Sequence, residues 1–119
     1  MARVFVYGSL LSGEANHGVV ARARRIGEAR TTPTWSLVSL GAWPALVPGG
    51  VTAVSGEVYE ASDDELAALD RFEQVPELFT RESIDLDDGT RAFAYVMPRA
   101  NGEPIPSGDW RAFRRGARR

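Results

Sequence analysis

The stretch Val4-Phe5-Val6-Tyr7-Gly8-Ser9-Leu10 constrains the fold of this chain more than any other segment. Val4 to Tyr7 are four β-prone residues in unbroken succession, and they read as a buried strand. Gly8 and Ser9 stop it. Glycine tolerates backbone angles that other residues avoid and leaves neighbouring peptide N–H groups uncovered. A buried strand that runs into exposed amides is a natural holder for a carboxylate or a carbonyl oxygen.

The 119 residues fit one domain spanning 1–119, and a 44% hydrophobic composition is enough for a small core. There is no cysteine, which excludes a disulfide framework, thiolate catalysis and a cysteine zinc site. His17 is the single histidine, so a multi-histidine metal site is excluded as well. We expect no metal and no cofactor. No segment reaches the ~18 apolar residues of a membrane span. The first residues also lack the long apolar region of a signal peptide. The expected setting is cytoplasmic, with no membrane partner.

All 14 basic residues are arginines, and five of them fall in the last nine positions. Without that tail, nine arginines face 16 acids, a net charge of −7. An acidic body argues against nucleic-acid binding. The basic end, about residues 111–119, reads as a frayed and solvated C-terminus. The competing reading is an anion-binding interaction tail.

Several elements can be placed from local signals. A short helix is expected around His17 to Arg24, and a strand within Thr31 to Leu40. Gly41 to Gly50 carries Pro44, Pro48 and three glycines and reads as a loop, unusually apolar through Trp43 to Val47. Val51 to Glu60 reads as a strand. Ser62-Asp63-Asp64-Glu65 is a helix start with a capping box, and the helix must end before Pro76. Thr80 to Leu86 and Thr90 to Met97 form a hairpin about an Asp-Gly turn. Strands dominate, with one marked helix, so the class is α+β with a curved or closed sheet rather than a doubly wound one.

Leu66, Leu69 and Glu73 are spaced i, i+3, i+7 and share one helical stripe. If the helix persists, Glu73 points inward with the leucines. A carboxylate against apolar surface has its pKa raised and becomes a candidate general base. The plain alternative is a helix frayed at Arg71 with Glu73 in water. Ser9 has no triad around it: no Gly-x-Ser-x-Gly elbow is present, and His17 is better read as a structural histidine bonded to a backbone carbonyl. Gly8 and Gly13 have P-loop-like spacing, but Glu14 stands where a lysine is needed. Tyr59, Phe79, Arg81, Tyr95 and Trp110 read first as core, with one or two shaping a pocket.

Together, Val4 to Leu10 with Gly13 to His17, Gly56-Glu57-Val58-Tyr59, Leu69-Asp70-Arg71-Phe72-Glu73 through Arg81, and Ser107-Gly108-Asp109-Trp110 resemble the gamma-glutamylcyclotransferase-like family, particularly its gamma-glutamylamine cyclotransferase branch. The likeness spans nearly the whole chain in order. It implies a compact mixed β-barrel with flanking short helices and a cavity at one end. It carries substrate binding to Tyr7, Gly8, Ser9 and Leu10 and the catalytic role to Glu73. Many relatives have tyrosine where Phe79 stands, so Phe79 and Tyr95 join the expected substrate contacts. The implied reaction cyclises a small-molecule gamma-glutamyl amine or amino acid to 5-oxoproline and releases the amine, without a cofactor. A monomer is expected on separate grounds, since the sequence shows no long exposed apolar stripe. A non-catalytic small-ligand binder that keeps the cavity is the alternative.

Overall fold

The computed structural model describes residues 1–117. In chain order, the elements are β1 (Ala2–Val6), a single 3₁₀ turn (His17–Val19), β2 (Arg24–Arg30), β3 (Trp35–Ser39), β4 (Pro44–Pro48), β5 (Ser55–Ala61), α1 (Asp63–Phe72), β6 (Thr80–Asp85), β7 (Arg91–Val96), β8 (Glu103–Pro104) and α2 (Trp110–Ala117). The class is α+β, as expected.

The strand at the head of the sequence lies inside the sheet. On one side β1 pairs antiparallel with β5, Val4 opposite Tyr59. On the other it runs parallel to β7, Val4 opposite Phe93. Both faces of β1 are covered. Phe5 and Tyr7 belong to one buried cluster with Leu37, Leu46 and Trp110, and Val4 and Val6 to another with Tyr59, Leu69 and Phe79. That double burial is why the run has no alternation of polar and apolar residues.

The sheet order is β2-β5-β1-β7-β4-β3-β8, with β6 paired to β7. The closed barrel implied by the resemblance is not found, because this path has free ends. Where β2 and β6 approach, contact is reduced to one isolated bridge, Thr31 to Leu86. The register of β2 also shifts between Arg25 and Gly27, a bulge that bends the strand at the edge. Among the described residues, no helix is long and apolar enough to cross a membrane.

Three further expectations need correction. Gly41 to Gly50 is not a loop throughout, since Pro44–Pro48 is strand β4. Its two prolines occupy the first and last positions, where a missing N–H costs the ladder least. The helix expected around His17 to Arg24 is only the 3₁₀ turn His17–Val19, and Arg24 instead opens β2, whose exposed polar residues conceal it. The basic end is not frayed: α2 runs from Trp110 to Ala117, with Trp110 buried and stacked on Phe113 at 5.8 Å. Residues 118 and 119, the rest of the expected tail, lie outside the described residues.

Helix α1 forms as its sequence dictates. The Ser62 hydroxyl accepts from the Glu65 N–H, and the Glu65 carboxylate accepts from the Ser62 N–H. At the other end, the Gln74 N–H donates to the Arg71 carbonyl and the Val75 N–H to the Asp70 carbonyl. These two bonds form a Schellman ending, which puts Gln74 in the left-handed region at φ 55°. Glu73, at the C-cap, keeps helical angles of φ −83° and ψ 0°. It therefore stays on the stripe of Leu66 and Leu69, and Leu69 is buried in the core.

A left-handed conformation costs an L-residue roughly 1–2 kcal/mol. Replacing Gln74 by glycine removes that cost, but part of the gain is offset by the greater freedom of glycine in the unfolded chain. Gln74→Gly should therefore stabilise the protein by up to about 1 kcal/mol, read as a higher urea midpoint with an unchanged slope.

Candidate active site

The end of β1 and the end of α1 meet at a cavity of about 250 Å³. Phe5, Val6, Tyr7, Leu10, Phe79 and Tyr95 are buried and form its inner wall. Each site residue expected from the sequence lines it: Glu73, Tyr7, Gly8, Ser9, Leu10, Phe79 and Tyr95. Trp43 and Pro44, from the apolar segment, lie over the same space.

Glu73 is the carboxylate in the lining. Burial pushes its pKa from an ordinary 4.5 up to about 7. No other cause contributes to that shift. The group is thus poised to exchange a proton near neutral pH.

The loop that leaves β1 faces Glu73 across the cavity. Gly8 is required here for space: a Cβ on it would sit 2.6 Å from the Pro44 Cγ and 2.7 Å from its Cδ. The turn is closed by the Leu11 N–H on the Gly8 carbonyl at 3.0 Å and the Asn16 N–H on the Ser9 carbonyl at 2.9 Å. Among the described residues, none accepts a hydrogen bond from the backbone N–H of Gly8, Ser9 or Leu10. The loop spends its carbonyls on its own folding and leaves these amides for a ligand oxygen.

Two tyrosine hydroxyls stiffen the wall. Tyr7 donates to the Tyr95 carbonyl at 2.7 Å and accepts from the Leu46 N–H at 3.1 Å. Burial and the nearby charge of Glu73 push its pKa well above the usual phenol range. Tyr95 donates to the Asp70 carboxylate at 2.8 Å, and Asp70 pairs with Arg81 at 3.1 Å. Burial and the Asp70 bond raise the Tyr95 pKa also. Both tyrosines are neutral donors bonded within the protein. His17 is structural: its Nδ1 lies 2.9 Å from the Leu10 carbonyl, which can only accept, so this nitrogen carries the proton.

The sequence reading did not single out Glu57, although it lies inside one of the family-like segments. It is 2% exposed, on β5 opposite Val6. Its carboxylate accepts from the Ser12 N–H at 2.9 Å, the Ser12 hydroxyl at 2.6 Å, the Tyr59 hydroxyl at 2.9 Å and Arg111 at 3.1 Å. Arg25 stands 3.6 Å away. Burial alone would raise its pKa, but the bonds from Ser12, Tyr59 and Arg111 outweigh it and hold the group at about 2. Arg111 also donates to the Ser12 carbonyl and hydroxyl, and Arg114 pairs with Glu14. The C-terminal arginines thus clamp the far side of the loop whose near side faces the cavity. A glutamate on a strand among apolar residues was the available sign.

Residues 4–112 match the model of the family described as gamma-glutamyl cyclotransferase, AIG2-like. The chain belongs to this family. A Vibrio cholerae protein provisionally named a gamma-glutamylcyclotransferase is 40% identical over 109 residues, covering 90% of this chain and 93% of its own length. The gamma-glutamylaminecyclotransferase of Mus musculus is 34% identical over 95 residues, covering 72% of this chain and 64% of its own length. The crystal structure of an AIG2-like protein from Mus musculus superposes with a TM-score of 0.79 at 31% identity, covering 85% of this chain and 80% of that one.

The Glu57 network carries a pH signature. A carboxyl held at about 2 when folded and near 4.5 when unfolded stabilises the protein fully above pH 4.5, and that contribution is lost as pH falls toward 2. Thermal midpoints of the native protein should fall steeply across that window. Glu57→Gln should start lower at pH 7 and fall less steeply, because it has no such proton to take up.

Proposed function

We propose that the protein is a gamma-glutamyl cyclotransferase that converts a small-molecule gamma-glutamyl amine or amino acid into 5-oxoproline and a free amine. The observation that carries this reading is the shared cavity, in which a carboxyl with a pKa of about 7 faces unpartnered backbone amides. The family membership supports the reaction class.

The chemistry sets the order of steps. Glu73 takes a proton from the substrate's α-ammonium. The freed amine attacks the substrate's own γ-carbonyl and closes a five-membered ring. Glu73 gives this proton to the leaving nitrogen as the C–N bond breaks, then takes the second proton that the ring nitrogen sheds and passes it to the departing amine, which leaves as an ammonium. Because nucleophile and electrophile sit in one molecule, the protein's share is to hold a folded conformer and move protons. A base with a pKa near the working pH is suited to both directions of transfer. The amides of Gly8, Ser9 and Leu10 supply donors for the substrate carboxylate or for the oxyanion of the tetrahedral intermediate.

One observation favours a second reading, a binder that keeps the cavity without turnover. Phe79 brings no hydroxyl, and the Tyr95 hydroxyl donates to Asp70 instead of to the cavity.

The test is 5-oxoproline release from a panel of gamma-glutamyl amines, gamma-glutamyl amino acids and glutathione. The expected result is release from at least one member and a loss of about 100-fold or more in Glu73→Gln. Release that survives the substitution would remove Glu73 from the mechanism. Melting shifts with the same panel but no release from any member would favour the binder.

A further inference from the structure

The mouth of the cavity differs in character from its floor. Trp43, Phe72 and Leu78 stand at it and are 44%, 40% and 37% exposed. They come from three separate places: the approach to β4, the last turn of α1 and the segment before β6. Six large hydrophobic residues of the described chain are exposed to this degree, and half of them gather at this one opening. Large side chains left in water at a single rim mark a surface that something apolar covers.

Charge at the rim is equally informative. The chain has no lysine, and among the described residues no arginine lines the cavity. Arg71 precedes Phe72 on α1 but is not part of the lining. Arg81, close to Phe79 in sequence, is committed to Asp70 at 3.1 Å and lies over the Phe93 ring at 4.9 Å. Besides Glu73, the polar side chains of the lining that are not already bonded within the wall are Ser9, Asn16 and Gln74, all uncharged. Among the described residues that line the cavity, a second carboxylate on the leaving half of a substrate would meet no cation, and an ammonium would meet no anion except Glu73.

Size divides the substrate between the two zones. A cavity of 250 Å³ lies below the usual ~300–1,000 Å³ of small-molecule pockets. It suits a gamma-glutamyl group, whose carboxylate and carbonyl oxygens the loop amides can serve. The leaving half must then extend outward between Trp43, Phe72 and Leu78.

We propose that the leaving half of the substrate is an apolar amine bearing neither a carboxylate nor a second ammonium, held by the Trp43–Phe72–Leu78 rim. This inference rests on the cyclotransferase reading and narrows it to one substrate class. An alkyl or aryl amine buries its body against the three side chains and requires no counter-ion. Amino-acid leaving groups and diamines lose hydration at the same rim without recovering it.

Matched pairs of substrates test it. Gamma-glutamyl-phenethylamide and gamma-glutamyl-phenylalanine differ only in the leaving group's carboxylate. Gamma-glutamyl-pentylamide and gamma-glutamyl-1,5-diaminopentane differ in a terminal ammonium. The kcat/KM for 5-oxoproline release should favour the uncharged member of each pair by roughly tenfold or more. Leu78→Arg, a change at an exposed position, should narrow or reverse the first pair by supplying a cation to the carboxylate. Equal or better turnover of the charged members overturns the substrate class while leaving the cyclotransferase reading in place. A first-pair ratio unmoved by Leu78→Arg removes the rim from specificity. Release from no member overturns the cyclotransferase reading and this inference together.

Discussion

Double burial of β1 is the constraint on which the rest of the structure depends. A strand covered on both faces and paired on both edges cannot shift its register without moving both core clusters. Its end is therefore a fixed point. The loop from Gly8 to Leu10 is delivered to the same place against Pro44, at a distance that only a residue without a side chain permits. The opposite wall is fixed just as firmly by Leu69 in the core and by the Schellman ending that stops α1 at Glu73. The cavity is the gap between two rigid ends, which is where a preorganised site is best built.

Two glutamates show how environment sets role. Glu57 and Glu73 begin with the same intrinsic acidity. Glu57 is the more deeply buried, yet donors on Ser12, Tyr59 and Arg111 hold it ionised, with a pKa of about 2. Glu73 is only partly buried, but desolvation acts on it unopposed and raises it to about 7. Donors to the carboxylate, several at Glu57 and none contributing at Glu73, separate the two outcomes. One carboxylate is charged at neutral pH and ties the loop to α2. Its counterpart sits at the balance point of a proton acceptor. Pairs of titratable groups pushed apart in this way are a recurrent mark of acid–base sites.

The parts of this arrangement that were legible in sequence are those governed by local chemistry. Ser62 to Glu65 announced α1, Asp-Gly announced the β6–β7 hairpin, and the Leu66–Leu69–Glu73 spacing placed Glu73 on the inner stripe. Elements fixed by long-range pairing were hidden. β4 was masked by its terminal prolines, β2 by its arginines, and α2 by a density of charge that resembles a solvated end. Glu57 was hard to single out for a related reason: apart from Tyr59, two residues on, its hydrogen-bond partners Ser12 and Arg111 are 45 and 54 residues away, and no spacing rule reaches so far. Closure of the sheet was overestimated because the edge geometry of β2 depends on a bulge that composition does not reveal.

The central claim is that Glu73 is desolvated beside a loop of free amides and so titrates near neutrality. A pH titration of the glutamate side-chain carboxyl carbons by ¹³C NMR, with the Glu73 signal assigned by its absence in Glu73→Gln, measures this directly. The expected midpoint for that one signal is near 7. A Glu73 midpoint at the ordinary value of about 4.5 would contradict the claim, leaving a solvated carboxylate at the cavity and no base poised for the reaction.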